Sequence, residues 1–330
     1  MKLSILDQAP ISSNQTAQEA LAESVRLAQA GEELGYTRYW IAEHHDFPGL
    51  ACPAPEVMLS YIGAQTSRIR IGSGATLLPH YKPYKVAEVF NLLATLFPGR
   101  IDLGIGRAPG GSAEATNALS DQFLKKVWDM PNAVKDLLHF LNEDFPDDHE
   151  FAKVSASPVP EQLPKPWILG TSKKSALLAA ENGLAYTFGQ FMSDKDGAEI
   201  IKDYVDAFQP RKQVNRPKAI LTVSAICADT TERAEEIALS NLVWSLQKGE
   251  GRERVPSVDE AKRYKLSREE QLSIEKMKQK MVIGNPQEVK RKLQEMQEQY
   301  LTEEIMIVTI THSPEDRIQS YKLIAEELLS

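Results

Sequence analysis

The sequence predicts a single-domain TIM (β/α)8 barrel over residues 1–330, with insertions after strand four and before strand eight. Three observations carry this expectation. Short apolar runs alternate with longer amphipathic segments, and strict β-then-α alternation builds a parallel sheet. The units number eight, the count that closes a barrel, and α/β barrels routinely reach this chain length as one domain. A doubly wound open sheet shares the alternation and is the rival architecture.

The elements follow in order. Residues 2–6 (KLSIL) read as the first strand. Thr16 and Glu19 have the spacing of a capping box; Leu21, Val25 and Ala28 then fall at i, i+4 and i+7, and Gly35 stops the helix. Strands at 38–42 (RYWIA), 68–76 (RIRIGSGAT) and 100–105 (RIDLGI) are separated by helices at 54–66 and 84–96. Further on, 166–169 (PWIL) precedes a helix at 172–182, and 185–188 (AYTF) one at 194–208. The strand at 218–227 (KAILTVSAIC) precedes a helix at 230–246. Finally 304–310 (EIMIVTI) leads to a helix at 314–329, with Ser313 as N-cap and Pro314 at its first position.

Two stretches interrupt the rhythm. Residues 112–165 are too long for one helix and a loop, and contain the exposed-loop sequence EDFPDDHE. Residues 247–283 are highly charged; they form either a mobile lid over the barrel mouth or a solvated helical excursion. They end in GNPQEV, where Asn285, Pro286 and Glu288 start a further helix.

Composition excludes several classes. A net charge of −8 offers no basic face for nucleic acid. Cys52 and Cys227 are far apart in sequence, giving neither metal-ligand spacing nor a disulfide framework, which points to the reducing cytoplasm. The opening MKLSILDQAP lacks the charge-then-apolar pattern of a signal peptide, and no apolar run approaches the ~20 residues that span a bilayer.

Barrel chemistry sits at the C-terminal ends of the strands. There the sequence places Asp7 and Gln8, then Glu43-His44-His45-Asp46, Ser73-Gly74-Ala75-Thr76, Gly106-Arg107, and the run GTSKKS at 170–175. Neighbouring residues on a strand face opposite ways, so His44 and His45 do not suit one ion, and no metal is expected. A mouth histidine can transfer protons or hydrogen-bond near neutrality; the alternative is a structural cap on the strand. In GTSKKS, Ser172 and Ser175 open a helix whose free N–H groups, with hydroxyls and lysines beside them, suit a phosphate. The alternative there is an ordinary serine N-cap.

The stretch GIGRAPGG at 104–111 poses a sharper question. A dinucleotide fingerprint needs glycine where Pro109 stands, so the pattern fails. Small residues let a backbone approach a flat ring, and Arg107 adds a planar cation. A tight turn with a surface arginine is the alternative.

Together these stretches resemble the bacterial luciferase-like family of flavin-dependent monooxygenases. The pieces are AEHHD, IRIGSGATLLPHYKPYKVAE (69–88), FPGRIDLGIGRAPG (97–110), PWILGTSKKSALLAAENGL (166–184) and IGNPQEV, in that order. The resemblance implies a barrel that binds reduced FMN at its mouth. It implies a non-proline cis peptide at Gly74–Ala75, with both residues against the flavin. Arg107 matches the arginine that contacts flavin and phosphate; Gly170, Thr171, Ser172 and Ser175 match the phosphate loop, and His44 the histidine of oxygen chemistry. The reaction implied uses O2 and reduced FMN from a separate reductase, and oxidises a small organic substrate through a flavin C4a-peroxide. A homodimer through the second and third helices is the usual family arrangement. Gly106 stands where the light-emitting subunit carries a reactive cysteine, which argues against light emission. Deazaflavin-dependent hydride transfer and a non-catalytic flavin-binding role are the alternatives within the family.

Overall fold

The computed structural model describes residues 1–211, 214–247 and 254–329. The chain runs β1 (Lys2–Asp7), α1 (Ala17–Glu33), β2 (Arg38–Ile41), α2 (Pro55–Gln65), β3 (Arg70–Ser73), β4 (Thr76–Leu77), α3 (Pro83–Leu96) and β5 (Ile101–Gly106). Next come α4 (Ala113–Leu119), α5 (Phe123–Trp128), α6 (Met130–Asn142), β6 (Lys165–Gly170), α7 (Lys173–Glu181), β7 (Ala185–Gly189), α8 (Gly197–Asp206), β8 (Ala219–Cys227) and α9 (Thr231–Gln247). The chain closes with α10 (Val258–Arg263), α11 (Arg268–Lys280), β9 (Val282–Gly284), α12 (Pro286–Tyr300), β10 (Glu304–Val308) and α13 (Pro314–Leu328).

Eight parallel strands close on themselves in the order β1, β2, β3, β5, β6, β7, β8, β10, with β10 pairing back to β1. The expected TIM barrel is therefore present. Local signals set the helix starts: Thr16 with Glu19 and Asn285 with Glu288 form capping boxes, and Ser313 caps α13 ahead of Pro314.

The expected strand at 68–76 is divided. β3 stops at Ser73, a cis peptide joins Gly74 to Ala75, and β4 resumes against the end of β5. The insertion after β5 opens with three helices and continues without helix or strand over residues 143–164, and α6 supplies the fourth outer helix against α3. In the second insertion, α10 and α11 precede β9, which extends the upper end of β8. Residues 248–253 of the expected lid lie outside the described residues.

Strand parity sorts the side chains into two cores. Leu3, Ile5, Tyr39, Ile71, Leu103 and Ile105 face the helices. Leu6, Trp40, Trp167, Ile220, Met306 and Val308 fill the lumen, with Trp244 of α9 and Val255 packed on them. Asp7 has outward parity: it takes hydrogen bonds from Tyr39 (2.6 Å) and from Arg317 of α13 (2.5 Å). It therefore fastens a helix rather than lining the mouth. Burial works against its charge, but Arg317 more than compensates and holds the carboxyl below the usual range.

The lower lumen is ionic. Arg38 reaches Asp102 (2.6 Å) and Glu304 (2.6 Å), and Arg70 reaches Asp102 (2.5 Å). Ser4 and the Trp40 indole donate to Glu304 and Asp102, and the Arg38 guanidinium lies 4.7 Å from the Trp167 ring centre. Buried charges persist only when paired in this way.

Glu32, at the end of α1, accepts from the backbone N–H groups of Ser67, Arg68 and Ile69 and clamps the turn into β3. Burial opposes its charge, yet these bonds bring its carboxyl down to about 2. Glu32→Ala is expected to lower unfolding stability by about 1–3 kcal/mol at neutral pH. A depressed folded pKa contributes stability above the unfolded value and loses it as pH falls through the folded one. The difference between wild type and variant should therefore shrink between about pH 4.5 and 2; a constant difference in urea titrations across that window would refute the assignment.

Candidate functional site at the barrel mouth

The mouth is built from the ends of β2, β3–β4, β5 and β6. β6 ends at Gly170, and Ser172 caps α7 with Ser175 in a reciprocal capping box. The Ser175 hydroxyl donates to the Ser172 carbonyl at 2.7 Å and lies 3.2 Å from the Tyr186 hydroxyl. Tyr186 bonds back to the Gly170 carbonyl, and burial pushes its phenol up to about 12. The loop is thus held from below, while Thr171 and Ser172 remain partly accessible.

Arg107, the first residue past β5, is exposed and extends across to this loop. Its Nη2 donates to the Ser172 hydroxyl at 3.2 Å. Two sequence candidates 65 positions apart therefore meet. Guanidinium, hydroxyls and the N-terminal end of a nine-residue helix form a donor set suited to an anion such as a phosphate monoester.

β4 runs alongside the end of β5, with Thr76 opposite Ile105 and Leu77 opposite Gly106. This pairing sets the cis Gly74–Ala75 backbone next to the strand that delivers Arg107. A Cβ on Gly74 would meet the Leu6 side chain of the lumen, which would have to shift to admit it.

His44 and His45 follow β2 rather than extending it, so the alternating-face argument does not apply to them. The His44 N–H donates to the Cys52 carbonyl at 3.0 Å, and its ring meets Phe47 edge-on at 6.0 Å. Phe47 in turn packs on the lumen cluster. His44 is thus carried two strands round the barrel from Arg107.

Sequence reasoning gave Glu43 no role. Its side chain is fully buried and accepts from the Leu77 N–H (3.0 Å), the Tyr81 hydroxyl (2.8 Å) and His45 Nε2 (2.9 Å). Burial and this carboxylate raise the Tyr81 phenol well above its ordinary value. The available signal was an acidic residue directly after the apolar run YWIA, where a charge must find buried partners.

Both cysteines are free and buried, and burial pushes each thiol up to about 12. Among the described residues no helix is long and apolar enough to cross a membrane.

A family model described as luciferase-like monooxygenase matches residues 1–303. The N-acetyl-S-alkylcysteine monooxygenase of Bacillus subtilis (strain 168) is 36% identical over 332 residues, covering 100% of this chain and 99% of that protein. The crystal structure of apo-MsnO8 superposes with a TM-score of 0.88 at 33% identity, covering 99% and 98% of the two chains. The oxygenating constituent of 3,6-diketocamphane monooxygenase from Pseudomonas putida, in complex with FMN, shares the fold at 18% identity. Its TM-score is 0.72, with 99% and 97% coverage.

Proposed function

This chain belongs to the luciferase-like monooxygenase family, and from that premise we propose that it is an FMN-dependent monooxygenase working on a small organic substrate with O2. The observation that carries the reading is the Arg107 guanidinium bonded to the Ser172 hydroxyl at the start of α7. Reduced FMN, when bound, supplies the electrons that activate O2.

The chain's own residues divide the remaining work. Arg107, Gly170, Thr171 and Ser172 would hold the phosphate, with Ser175 bracing that loop through the Ser172 carbonyl, and the Gly74–Ala75 backbone would face the ring. His44 holds or delivers a proton at the reacting edge. The Trp40, Trp167 and Met306 floor keeps water from below. The anion-suited donor set at Arg107 and Ser172, and the neighbour in complex with FMN, support the FMN reading.

Electrons come from a separate reductase, as befits an oxygenating constituent. A homodimer would cover the exposed Val57 and Tyr61 of α2 with Leu92 and Leu96 of α3. The two buried thiols suit a cytoplasmic setting.

The test is anaerobic titration with reduced FMN followed by mixing with oxygen. The bound flavin should reoxidise more slowly than free FMN, because the site withholds water and protons. Reoxidation at the free rate, or retention of a deazaflavin in place of FMN, would overturn the reading. Arg107→Ala removes a charged donor and is expected to weaken FMN binding by about 1.5–3 kcal/mol, roughly 10–150-fold. An unchanged dissociation constant in the same titration would exclude Arg107 from the site.

A further inference from the structure

The loop GIGRAPGG contains more glycine than an arginine at its start requires, and the structure accounts for the second pair. Gly110 has φ of +71°, a left-handed conformation that favours glycine. A Cβ there would strike Leu77 Cδ1, and one on Gly111 would strike the carbonyl oxygen of His45. These two glycines bring the loop down onto the end of β2 and onto β4. The His45 N–H donates to the Gly110 carbonyl at 2.8 Å, and His80 Nε2 donates to the Pro109 carbonyl at 2.8 Å.

Beneath this contact lies Glu43, and its two oxygens lead to the two sides of Arg107. Oε2 takes the N–H of Leu77, whose strand partner is Gly106, the residue immediately before Arg107. Oε1 takes His45 Nε2, and the His45 backbone holds Gly110, three residues after Arg107. Tyr81 donates to the same Oε1 and completes the set. A buried carboxylate with three donors makes charge-assisted bonds, about twice as strong as neutral ones. Its loss would leave those donors without their buried acceptor.

We propose that Glu43 is a positioning residue for the anion cup: through Leu77 and His45 it brackets Arg107 from both sides and holds the guanidinium at Ser172. Glu43 itself does not touch the flavin. The proposal rests on the flavin reading above, but concerns how the phosphate end is aligned rather than what is bound.

Its signature is selective. Arg107 and Ser172 engage the phosphate, so Glu43→Gln should weaken reduced FMN binding by about tenfold while changing riboflavin affinity less than about twofold. Arg107 is the intermediary, so the double variant Glu43→Gln/Arg107→Ala should bind FMN about as well as Arg107→Ala alone. A general loosening of the fold would instead lower both affinities and multiply the two losses.

The experiment is anaerobic titration of wild type and these variants with reduced FMN and reduced riboflavin, after thermal unfolding has shown each to be folded. Should Glu43→Gln fail to fold, Tyr81→Phe removes one donor and keeps the carboxylate, and a few-fold selective loss of FMN affinity is then expected. FMN affinity within twofold of wild type, parallel losses for both ligands, or additive losses in the double variant would overturn the proposal. Wild type that binds no FMN would overturn the flavin reading and this proposal with it; wild type that binds while Glu43 variants stay unselective overturns the proposal alone.

Discussion

Asp102→Ala is expected to destabilise the protein by about 3–5 kcal/mol. The carboxylate is wholly buried and faces two arginines, Arg38 at 2.6 Å and Arg70 at 2.5 Å, as well as the Trp40 indole at 3.1 Å. Removing it leaves Arg38 with Glu304 as its ion-pair partner and Arg70 with backbone carbonyls of β5 and the loop before it. Arg70 would then have no carboxylate among its hydrogen-bond partners, and an uncompensated, largely buried charge costs far more than a surface pair gains. Burial penalises the Asp102 charge, but Arg38 and Arg70 outweigh it and hold the carboxyl below the usual range. The stabilisation is therefore present above about pH 4 and declines as pH falls through the lowered folded value. Urea denaturation at neutral pH checks the magnitude; a loss below about 1 kcal/mol would mean that the layer is not a structural keystone.

His44→Ala is expected to lower substrate oxidation by about 10²-fold or more, the usual contribution of a positioned acid or base. The fold should survive, because the backbone N–H of residue 44 still bonds the Cys52 carbonyl and the imidazole sits at the mouth beside Phe47 rather than in the helix-facing core. The discriminating measurement is the reoxidation time of bound reduced FMN alongside substrate turnover. A proton-transfer role changes both while FMN affinity holds. Loss of FMN affinity alone would make His44 a binding residue, and unchanged turnover would remove it from the chemistry.

These predictions divide according to how local their causes are. The barrel order was legible because each unit announces itself over ten to twenty residues: an apolar run, then a cap and a helical period. Thr16 with Glu19, and Asn285 with Glu288, are three positions apart, and their capping boxes form as the spacing dictates. The meeting of Arg107 with Ser172 was legible for the same reason. Barrel topology places strand ends together, so Arg107 after β5 and Ser172 after β6 had to be neighbours once the strands were counted.

Tertiary structure decided what depends on which way a strand-end side chain turns and on what lies opposite. Asp7 reads as a mouth residue, yet its parity turns it toward Arg317, 310 positions away. The run 68–76 reads as one strand, yet it divides at Gly74–Ala75, and both pieces pair with β5. Glu43 is a single acidic letter until Leu77, His45 and Tyr81 converge on it. Caps and periods are nearest-neighbour effects and can be read along the chain. Buried charges, by contrast, select partners through space, because only desolvation in the folded barrel makes those partners necessary.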